Sequence, residues 1–363
     1  MKKLWILVSA VIAVAMCAPA FAEDMASVQS KYPITVYGLV KVDMSYDDST
    51  TNNGNVAYWV VNEGATGAAK DAPAFNLGAK DTRLGLKIKG PDYEDVETNG
   101  LIEFDFLSPG GGENTSEMRT RHLYVNMVFP DSDFNVLVGQ TWDVVMPQIP
   151  TMFNYTVMWY GGNVGYRRPQ VRLGKGIALS DDTKLMLQAA LTRPIGDAQA
   201  TNGLINDTGE DSGLPGFQAR AAVTMPLLAE KKATIGLNAA MGKETRNPET
   251  ATEKDYDVNL FGIDVNVPVA DKIALKGEYW TGENVDEFLG GIGNGTNTTL
   301  LKSIEASGYW IGVDFGPFES WKFALAYGVD DPDAADLAND SRDKNTTYLV
   351  NTRYAFSEAV NFG

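Results

Sequence analysis

Segments of about ten residues in which apolar and polar side chains alternate recur along most of this chain. One of them, TRLGLKIKG at residues 82–90, alternates three cations with three aliphatic residues. Because successive side chains of a β-strand point to opposite faces, this pattern gives a strand one charged and one aliphatic face. Two folds satisfy it: a soluble sheet packs the apolar face on a core, whereas a membrane barrel turns that face to lipid.

The first 22 residues have the features of a secretory signal peptide. Two lysines precede the apolar run LWILVSAVIAVAM, and residues 20–22 form the small-x-small cleavage motif AFA. The apolar run is too short to span a membrane as a helix. We therefore expect cleavage after Ala22. This cleavage also removes Cys17, the only cysteine, so the mature chain has none left for a disulfide.

The charge balance excludes several classes of function. The chain has 30 Lys and Arg against 47 Asp and Glu, a formal net charge of −17, which argues against a nucleic-acid partner. Its only histidine is His122, so the usual general base and the usual metal ligand are nearly missing. Tyr124, not a serine, follows on the same strand face. The sequence predicts no enzyme activity, no cofactor and no metal site.

The alternating segments predict fourteen strands and the start of a fifteenth at Val360. The connections between consecutive strands alternate between short turns, rich in Pro, Gly, Asp and Ser, and long acidic loops. The strands are predicted near 34–46, 75–90, 99–107, 117–129, 134–142, 164–180, 183–193, 216–226, 232–241, 256–267, 271–281, 306–315, 321–329 and 345–355. We expect one domain, residues 34–363, after the signal peptide, residues 1–22, and a short periplasmic lead, residues 23–33.

Three observations favour a membrane barrel over a soluble sandwich. No run of about 18 apolar residues follows the signal peptide, so no spanning helix is predicted. The polar face recurs on almost every strand, and aromatic residues recur near strand ends. The predicted fold class is therefore all-β, a transmembrane antiparallel up-and-down β-barrel. Bacterial barrels have even strand numbers, so about 16 strands are expected, and this sequence ends inside the fifteenth.

Five stretches of the chain, taken in order, resemble the DcaP-like porins of Gram-negative outer membranes. They are VYGLVKVDMSYD (36–47), TRLGLKIKG (82–90), TSEMRTRHLYVNM (115–127), VLVGQTWDVVMPQIP (136–150) and GNVGYRRPQVRL (162–173). The resemblance covers residues 34–180 by motif, and it covers the remainder by the regular spacing of strands, short turns and long loops. It implies a trimeric barrel of 16 strands whose third external loop folds into the lumen. It also implies passage of small anionic nutrients such as dicarboxylates. The sequence departs from the family pattern in one respect, because no heptad coiled coil is visible ahead of the predicted barrel.

Strand alternation places a set of cations on the predicted lumen face, where they would form a basic stripe that attracts anions. The members of this stripe are Arg83, Lys87, Lys89, Arg119, Arg121, Arg168 and Arg172. The same alternation places other polar residues on the lumen face of the wall, namely Lys41, Asp43, Glu103, Asp105 and Gln170. The alternative is that these neighbours neutralise the cations by pairing with them.

The loop at residues 143–163 is apolar and aromatic, whereas the other long loops are acidic. Because such a loop would be costly in water, we expect it inside the lumen, where it would constrict the pore. A lid or a trimer contact is the alternative. The side chains predicted to face the basic stripe are Met146, Phe153, Tyr155, Trp159 and Tyr160.

The sequence thus predicts an outer-membrane porin for passive diffusion of small anionic solutes. Its expected surroundings are outer-membrane lipid and lipopolysaccharide, and its expected assembly is a homotrimer. Two other possibilities remain open at this stage: an unselective or cation-preferring porin, and a structural or adhesive barrel with an occluded lumen.

Overall fold

The computed structural model describes residues 30–52, 56–61, 72–108, 115–195, 209, 211–228, 231–246, 253–338 and 341–363. The predicted signal peptide and most of the predicted lead lie outside these residues. Nearly all of the regular structure in the described chain is β-strand. No helix in this part of the chain is long and apolar enough to cross a membrane.

Nineteen strands, numbered here in chain order, are present in the described residues. The first nine are β1 (Ile34–Leu39), β2 (Asp43–Asp47), β3 (Ala74–Gly78), β4 (Arg83–Lys89), β5 (Glu97–Asp105), β6 (Arg119–Phe129), β7 (Phe134–Trp142), β8 (Arg167–Ala178) and β9 (Lys184–Thr192). The others are β10 (Gly216–Leu228), β11 (Lys231–Arg246), β12 (Lys254–Ala270), β13 (Ile273–Glu283), β14 (Thr296–Asn297), β15 (Lys302–Ser303), β16 (Glu305–Phe318), β17 (Trp321–Pro332), β18 (Asn345–Ala355) and β19 (Asn361–Phe362).

Fifteen of these strands form one antiparallel up-and-down sheet, in which each strand pairs with the next one along the wall. This arrangement confirms the predicted fold class. The strand order is β1, β4 to β13 in sequence, then β16 to β19. The sheet is not closed, since β1 and β19 are its two edges. Both edges nevertheless approach Phe153, which lies between Lys41 and Gly363 inside the curved wall.

The first two predicted strands are each broken in two, which corrects the predicted strands 34–46 and 75–90. In the first hairpin, β1 pairs with β4 and β2 pairs with β3 as a separate small sheet. At the break, the backbone N–H of Lys41 donates to the Thr82 hydroxyl at 3.2 Å instead of to a backbone carbonyl. A side chain therefore replaces one rung of the ladder, and the hairpin bends there.

The two faces of the wall differ as the alternation requires. Leu325 and Phe323 of β17 are exposed on the outside, whereas Ala324 between them is buried. On the inside, Trp280 of β13 is fully buried and lies over Gly308 of β16. A side-chain carbon at Gly308 would stand 2.3 Å from the Trp280 ring, so this close approach requires glycine.

The segment between β13 and β16, predicted only as a long loop, contains local structure. Two 3-10 turns, Val285–Phe288 and Gly291–Gly293, are followed by the small β14–β15 hairpin. We call residues 284–304 the outer loop. Its turns begin or contain left-handed residues, including Asn284 with φ 52° and Ile292 with φ 50°, which lie outside the backbone states that periodicity detects.

Candidate functional site

The segment at residues 143–163, called here the inward loop, lies against the inner face of the barrel wall. In its first part, which bends at Met146 with φ 51°, alternate backbone N–H groups donate to inward side chains of β10, β11 and β13. These bonds are Val144 N to Gln218 Oε1 at 2.8 Å, Met146 N to Asn238 Oδ1 at 3.1 Å and Gln148 N to Glu278 Oε1 at 2.7 Å. The wall thus supplies the acceptors that a buried segment with no neighbouring strand would lack.

The tip of the inward loop, residues 151–155, crosses to the other side of the barrel. Thr151 donates its hydroxyl to Asp314 of β16 at 3.0 Å, and Lys276 of β13 contacts the same hydroxyl at 3.3 Å. Two residues later, the Phe153 carbonyl accepts a hydrogen bond from Lys41 at 2.7 Å. The loop therefore spans the lumen from one wall to the first hairpin.

The returning half of the inward loop is held by the outer loop. Tyr160 N donates to the Leu289 carbonyl at 3.0 Å, and Gly165 N, two residues after the loop ends, donates to the Phe288 carbonyl at 2.7 Å. Trp280 Nε1 donates to the Gly162 carbonyl at 2.8 Å. The two loops and the wall share an apolar cluster of buried residues. It consists of Val145, Met146, Val164, Ala240, Val258, Leu260, Trp280, Val285, Phe288 and Ala306.

This cluster occupies the side of the lumen formed by β11 to β16. Met146 is 3% exposed, and its thioether packs on Gly262 of β12, so it contacts the wall and does not face the basic stripe as predicted. Trp159 is 2% exposed and packs on Trp142 and Tyr155. Of the predicted aromatic residues, Phe153 and Tyr155 lie at the tip, towards the charged side.

Four of the predicted pore residues form one charged network on β5 and β6. Arg119 pairs with Asp105 at 2.5 Å, while Arg121 pairs with Glu103 at 2.6 Å and with Asp105 at 3.1 Å. The β5–β6 register shifts at a bulge between Glu103 and Phe104, and Arg121 is the extra residue of β6 at this bulge. The predicted alternative of neutralising pairs is therefore realised at these four residues.

A second charged group lies on the first hairpin. Asp81 accepts from Lys41 at 2.7 Å and from Arg83 at 3.1 Å, and Lys41 also pairs with Asp43 at 2.9 Å. Asp81 is 4% exposed, and the sequence analysis did not single it out. It lies in a turn between two strands, where alternation makes no statement about side-chain direction.

Arg167, which strand alternation did not select, lies beside the network of β5 and β6, since it and Arg119 both contact Tyr155. Its guanidinium donates to the Tyr155 hydroxyl at 2.9 Å and lies 4.4 Å from the centre of the Trp142 ring. Arg119 contacts the same tyrosine, with its guanidinium 4.7 Å from the centre of the Tyr155 ring. Arg167 is 5% exposed and makes no ion pair in the part of the chain that the structure describes. The signal that could have revealed it is the pair Arg167-Arg168 at a strand start, where alternation is not yet established.

The remaining predicted cations lie elsewhere. Arg168 is 3% exposed and pairs with Asp143 at 2.8 Å and with Glu287 at 3.1 Å, so it joins the inward loop to the outer loop and does not line open lumen. Arg172 contacts Gln170 at 2.9 Å and the Trp142 carbonyl.

The two lysines of β4 make their contacts away from the tip of the inward loop. Lys87 lies over the ring of Tyr37 at 5.2 Å, and the Tyr37 hydroxyl donates to Glu103 at 2.8 Å. Lys89 pairs with Asp92 at 3.7 Å at the short-turn end of the strand, where its side chain is 64% exposed. The stripe therefore divides into a group near the loop tip and a separate residue at the opposite end.

A cavity of about 180 Å³ opens between the first hairpin and the tip of the inward loop. Its lining includes Asp43, Lys80, Asp81, Phe153 and Tyr155. Both charge signs and two aromatic rings are thus available to a small polar molecule at this place.

Two tyrosines above the tip are held in their neutral form. Burial raises the pKa of Tyr160 above its usual range, and the nearby Asp286 carboxylate adds to this effect. Burial likewise raises the pKa of Tyr58, whose ring contacts that of Tyr160 edge-on at 5.2 Å. Titration of these phenols therefore adds no charge to the site near neutral pH.

Comparison with known proteins gives no match to a family model or to a curated protein. Solved structures do match. The outer membrane channel DcaP of Acinetobacter baumannii has a TM-score of 0.73 at 20% identity, with 93% of this chain and 91% of that chain covered. The anion-selective porin from Comamonas acidovorans has a TM-score of 0.54 at 12% identity, with 90% of this chain and 86% of that chain covered.

OprB of Pseudomonas putida matches with a TM-score of 0.50 at 9% identity, over 89% of this chain and 85% of that chain. Identities this low bear on fold and not on solute. With its single up-and-down sheet and its inward loop, this chain has the fold of the outer-membrane channel barrels, as its resemblance to DcaP-like porins predicted.

Proposed function

We propose that this chain is an outer-membrane porin that provides a water-filled path for passive diffusion of small anionic solutes of the dicarboxylate type. The path would run past the tip of the inward loop, between the first hairpin and the network of β5 and β6. It would avoid the side of the lumen that the apolar cluster fills.

The observation that supports anion preference most directly is the state of Arg167. A buried cation is costly unless a negative group neutralises it, and Arg167 has only aromatic rings and a phenol around it in the described residues. Among the described residues, the two charged groups and Arg167 together contain five cations and four carboxylates. The cations are Lys41, Arg83, Arg119, Arg121 and Arg167, and the carboxylates are Asp43, Asp81, Glu103 and Asp105. These groups together therefore carry a net positive charge although the whole chain is acidic.

A second candidate function rests on the apolar cluster. Because two loops fill one side of the lumen, a structural barrel with an occluded lumen would have the same cluster and the same loop contacts. It would differ only in conducting no ions.

Reversal potential measurements on the full protein in a planar bilayer under a KCl gradient test the proposal. We expect a sign that indicates anion preference, and we expect Arg167→Gln to shift the potential towards cations. Lys184→Ala is the matched control: it also removes one cation, but this one pairs with Asp133 in a short turn and is half exposed. Cation preference in the wild type, or equal potentials for the wild type and Arg167→Gln, would contradict the proposal. Absence of conductance would support the occluded barrel.

We also propose that the mature chain, cleaved after Ala22, assembles as a homotrimer among outer-membrane lipid and lipopolysaccharide. These proposals rest on the signal-peptide pattern and on the family resemblance. Membrane fractionation tests the location, and the mass of the detergent-extracted complex by light scattering tests the trimer.

A further inference from the structure

The outer loop begins at a buried asparagine with an unusual set of neighbours. Asn284 is fully buried, and its Nδ2 donates to Glu244 Oε2 at 2.6 Å. Its Oδ1 is also buried and accepts no hydrogen bond from any described residue. A buried carbonyl oxygen without a donor is costly, so this atom calls for an explanation.

The unpartnered oxygen faces a carboxylate. A side-chain carbon built on Gly295 would stand 2.2 Å from Asn284 Oδ1 and 2.1 Å from Asp286 Oδ1. The two oxygens therefore lie near each other, against the side of Gly295 on which a side chain would stand. Both are acceptors, and Asp286 Oδ1 already takes the backbone N–H of Glu287 at 3.0 Å.

Rotating the amide of Asn284 does not remove this conflict. Asn284 lies between two carboxylates and has one NH₂ group, which in the structure donates to Glu244. In the opposite orientation the NH₂ group would face Asp286, and the carbonyl oxygen would face Glu244 instead. Either orientation leaves a carbonyl oxygen against a carboxylate oxygen, an arrangement that a cation relieves.

We propose that Asn284 Oδ1 and Asp286 Oδ1 are ligands of a Ca²⁺ ion at the base of the outer loop. Carboxylate and amide oxygens are ligands that this hard cation prefers, and it tolerates irregular geometry. Glu244, which pairs with Arg246 at 2.8 Å, orients the amide and acts as a positioning residue.

The ligand set makes this a weak, external site. No group of three or more His, Cys, Asp or Glu able to hold a metal occurs in the described part of the chain. The remaining ligands would therefore be neutral oxygens, from water or from backbone. A low ligand charge is typical of sites that bind Ca²⁺ at about 0.1 to 1 mM outside cells. The sequence analysis predicted no metal site and did not single out Asn284, Asp286 or Gly295.

Such an ion would stabilise the inward loop from a distance. Asp286 and Glu287 belong to the same 3-10 turn, and Glu287 pairs with Arg168. The Leu289 carbonyl accepts from Tyr160 of the inward loop, and the Phe288 carbonyl accepts from Gly165 just after the loop. Fixing this turn therefore fixes one attachment of the inward loop and two attachments of the segment that follows it.

Terbium luminescence on the full protein in detergent tests the site. Val285, between the two ligand residues, packs in the same apolar cluster as Trp280, so Tb³⁺ bound here would be excited through tryptophan. We expect saturable emission that Ca²⁺ displaces. Asp286→Asn should weaken Tb³⁺ binding at least about tenfold, because it removes the charged ligand.

Asp331→Asn is the matched control, since Asp331 is an exposed carboxylate that pairs with Lys344 outside this site. A second variant, Gly295→Ala, should also abolish binding, because its methyl group would meet both ligand oxygens. Equal Tb³⁺ affinity in Asp286→Asn and Asp331→Asn would overturn the proposal. So would an absence of Ca²⁺-displaceable emission in the wild type, which decides the question even when the variants do not fold.

Discussion

At the scale of single residues, the charged network of β5 and β6 depends on Asp105. This carboxylate is fully buried and accepts from Arg119 and from Arg121 through both of its oxygens. Glu103 can satisfy only part of the Arg121 guanidinium. Asp105 is therefore the residue that allows two arginines to lie side by side on one strand.

We predict that Asp105→Asn lowers the free energy of unfolding by about 3–5 kcal/mol, the usual cost of breaking a buried ion pair by removing one partner. Urea unfolding in detergent or lipid measures this value. Asp133→Asn, which loses a half-exposed pair with Lys184, is the control and should cost at most about 1 kcal/mol. Similar losses for the two variants would show that the network contributes little.

At the scale of elements, the inward loop owes its path to three side chains on three strands. Gln218, Asn238 and Glu278 each accept one backbone N–H of the loop. Asn238 also donates to Asp264 at 2.8 Å, which holds its carbonyl oxygen towards the loop. The loop is thus attached at intervals of two residues, as a strand would be, but by side chains.

Asn238→Ala should loosen the loop, because the buried N–H of Met146 then lacks an acceptor, at a cost of about 1–3 kcal/mol. We expect larger current fluctuations in single-channel recordings than in the wild type. Thr224→Ala is the control, since Thr224 bonds to Thr234 near the short-turn end, away from the loop. Wild-type noise in Asn238→Ala would mean that the other two attachments suffice.

At the scale of the whole molecule, the lumen is divided into an apolar side and a charged side. The apolar side is centred on Trp280, which is fully buried, packs with both loops and donates its ring N–H to Gly162. The charged side lies along β4 to β8. Filling one side with a protein core would confine the proposed diffusion path to the other side.

Trp280→Ala should lower the free energy of unfolding by about 3–5 kcal/mol, because it leaves a cavity in the core of the lumen and removes a buried hydrogen bond. Thermal or urea unfolding provides the measurement. Tyr279→Ala is the matched control, because the adjacent Tyr279 points outward and is 50% exposed. If both variants lost the same stability, the apolar cluster would not act as a core.

The sequence by itself determined the wall of this molecule. Strand alternation depends only on neighbouring residues, so the pattern assigned Arg119, Arg121, Glu103 and Asp105 to one face, and the structure places all four in a single network. The unusual composition of residues 143–163 likewise indicated that this loop avoids water, and the structure places it against the inner wall.

Only the tertiary structure decided how the loops use these residues. Arg168 shares the face of Gln170 and Arg172, but the outer loop, 119 residues away in sequence, supplies Glu287 and buries it. Arg167 contributes to the site because Tyr155 and Trp159 fold back onto a strand end. Local periodicity carries no information about contacts between segments so distant in sequence, because those contacts depend on where the loops close in space.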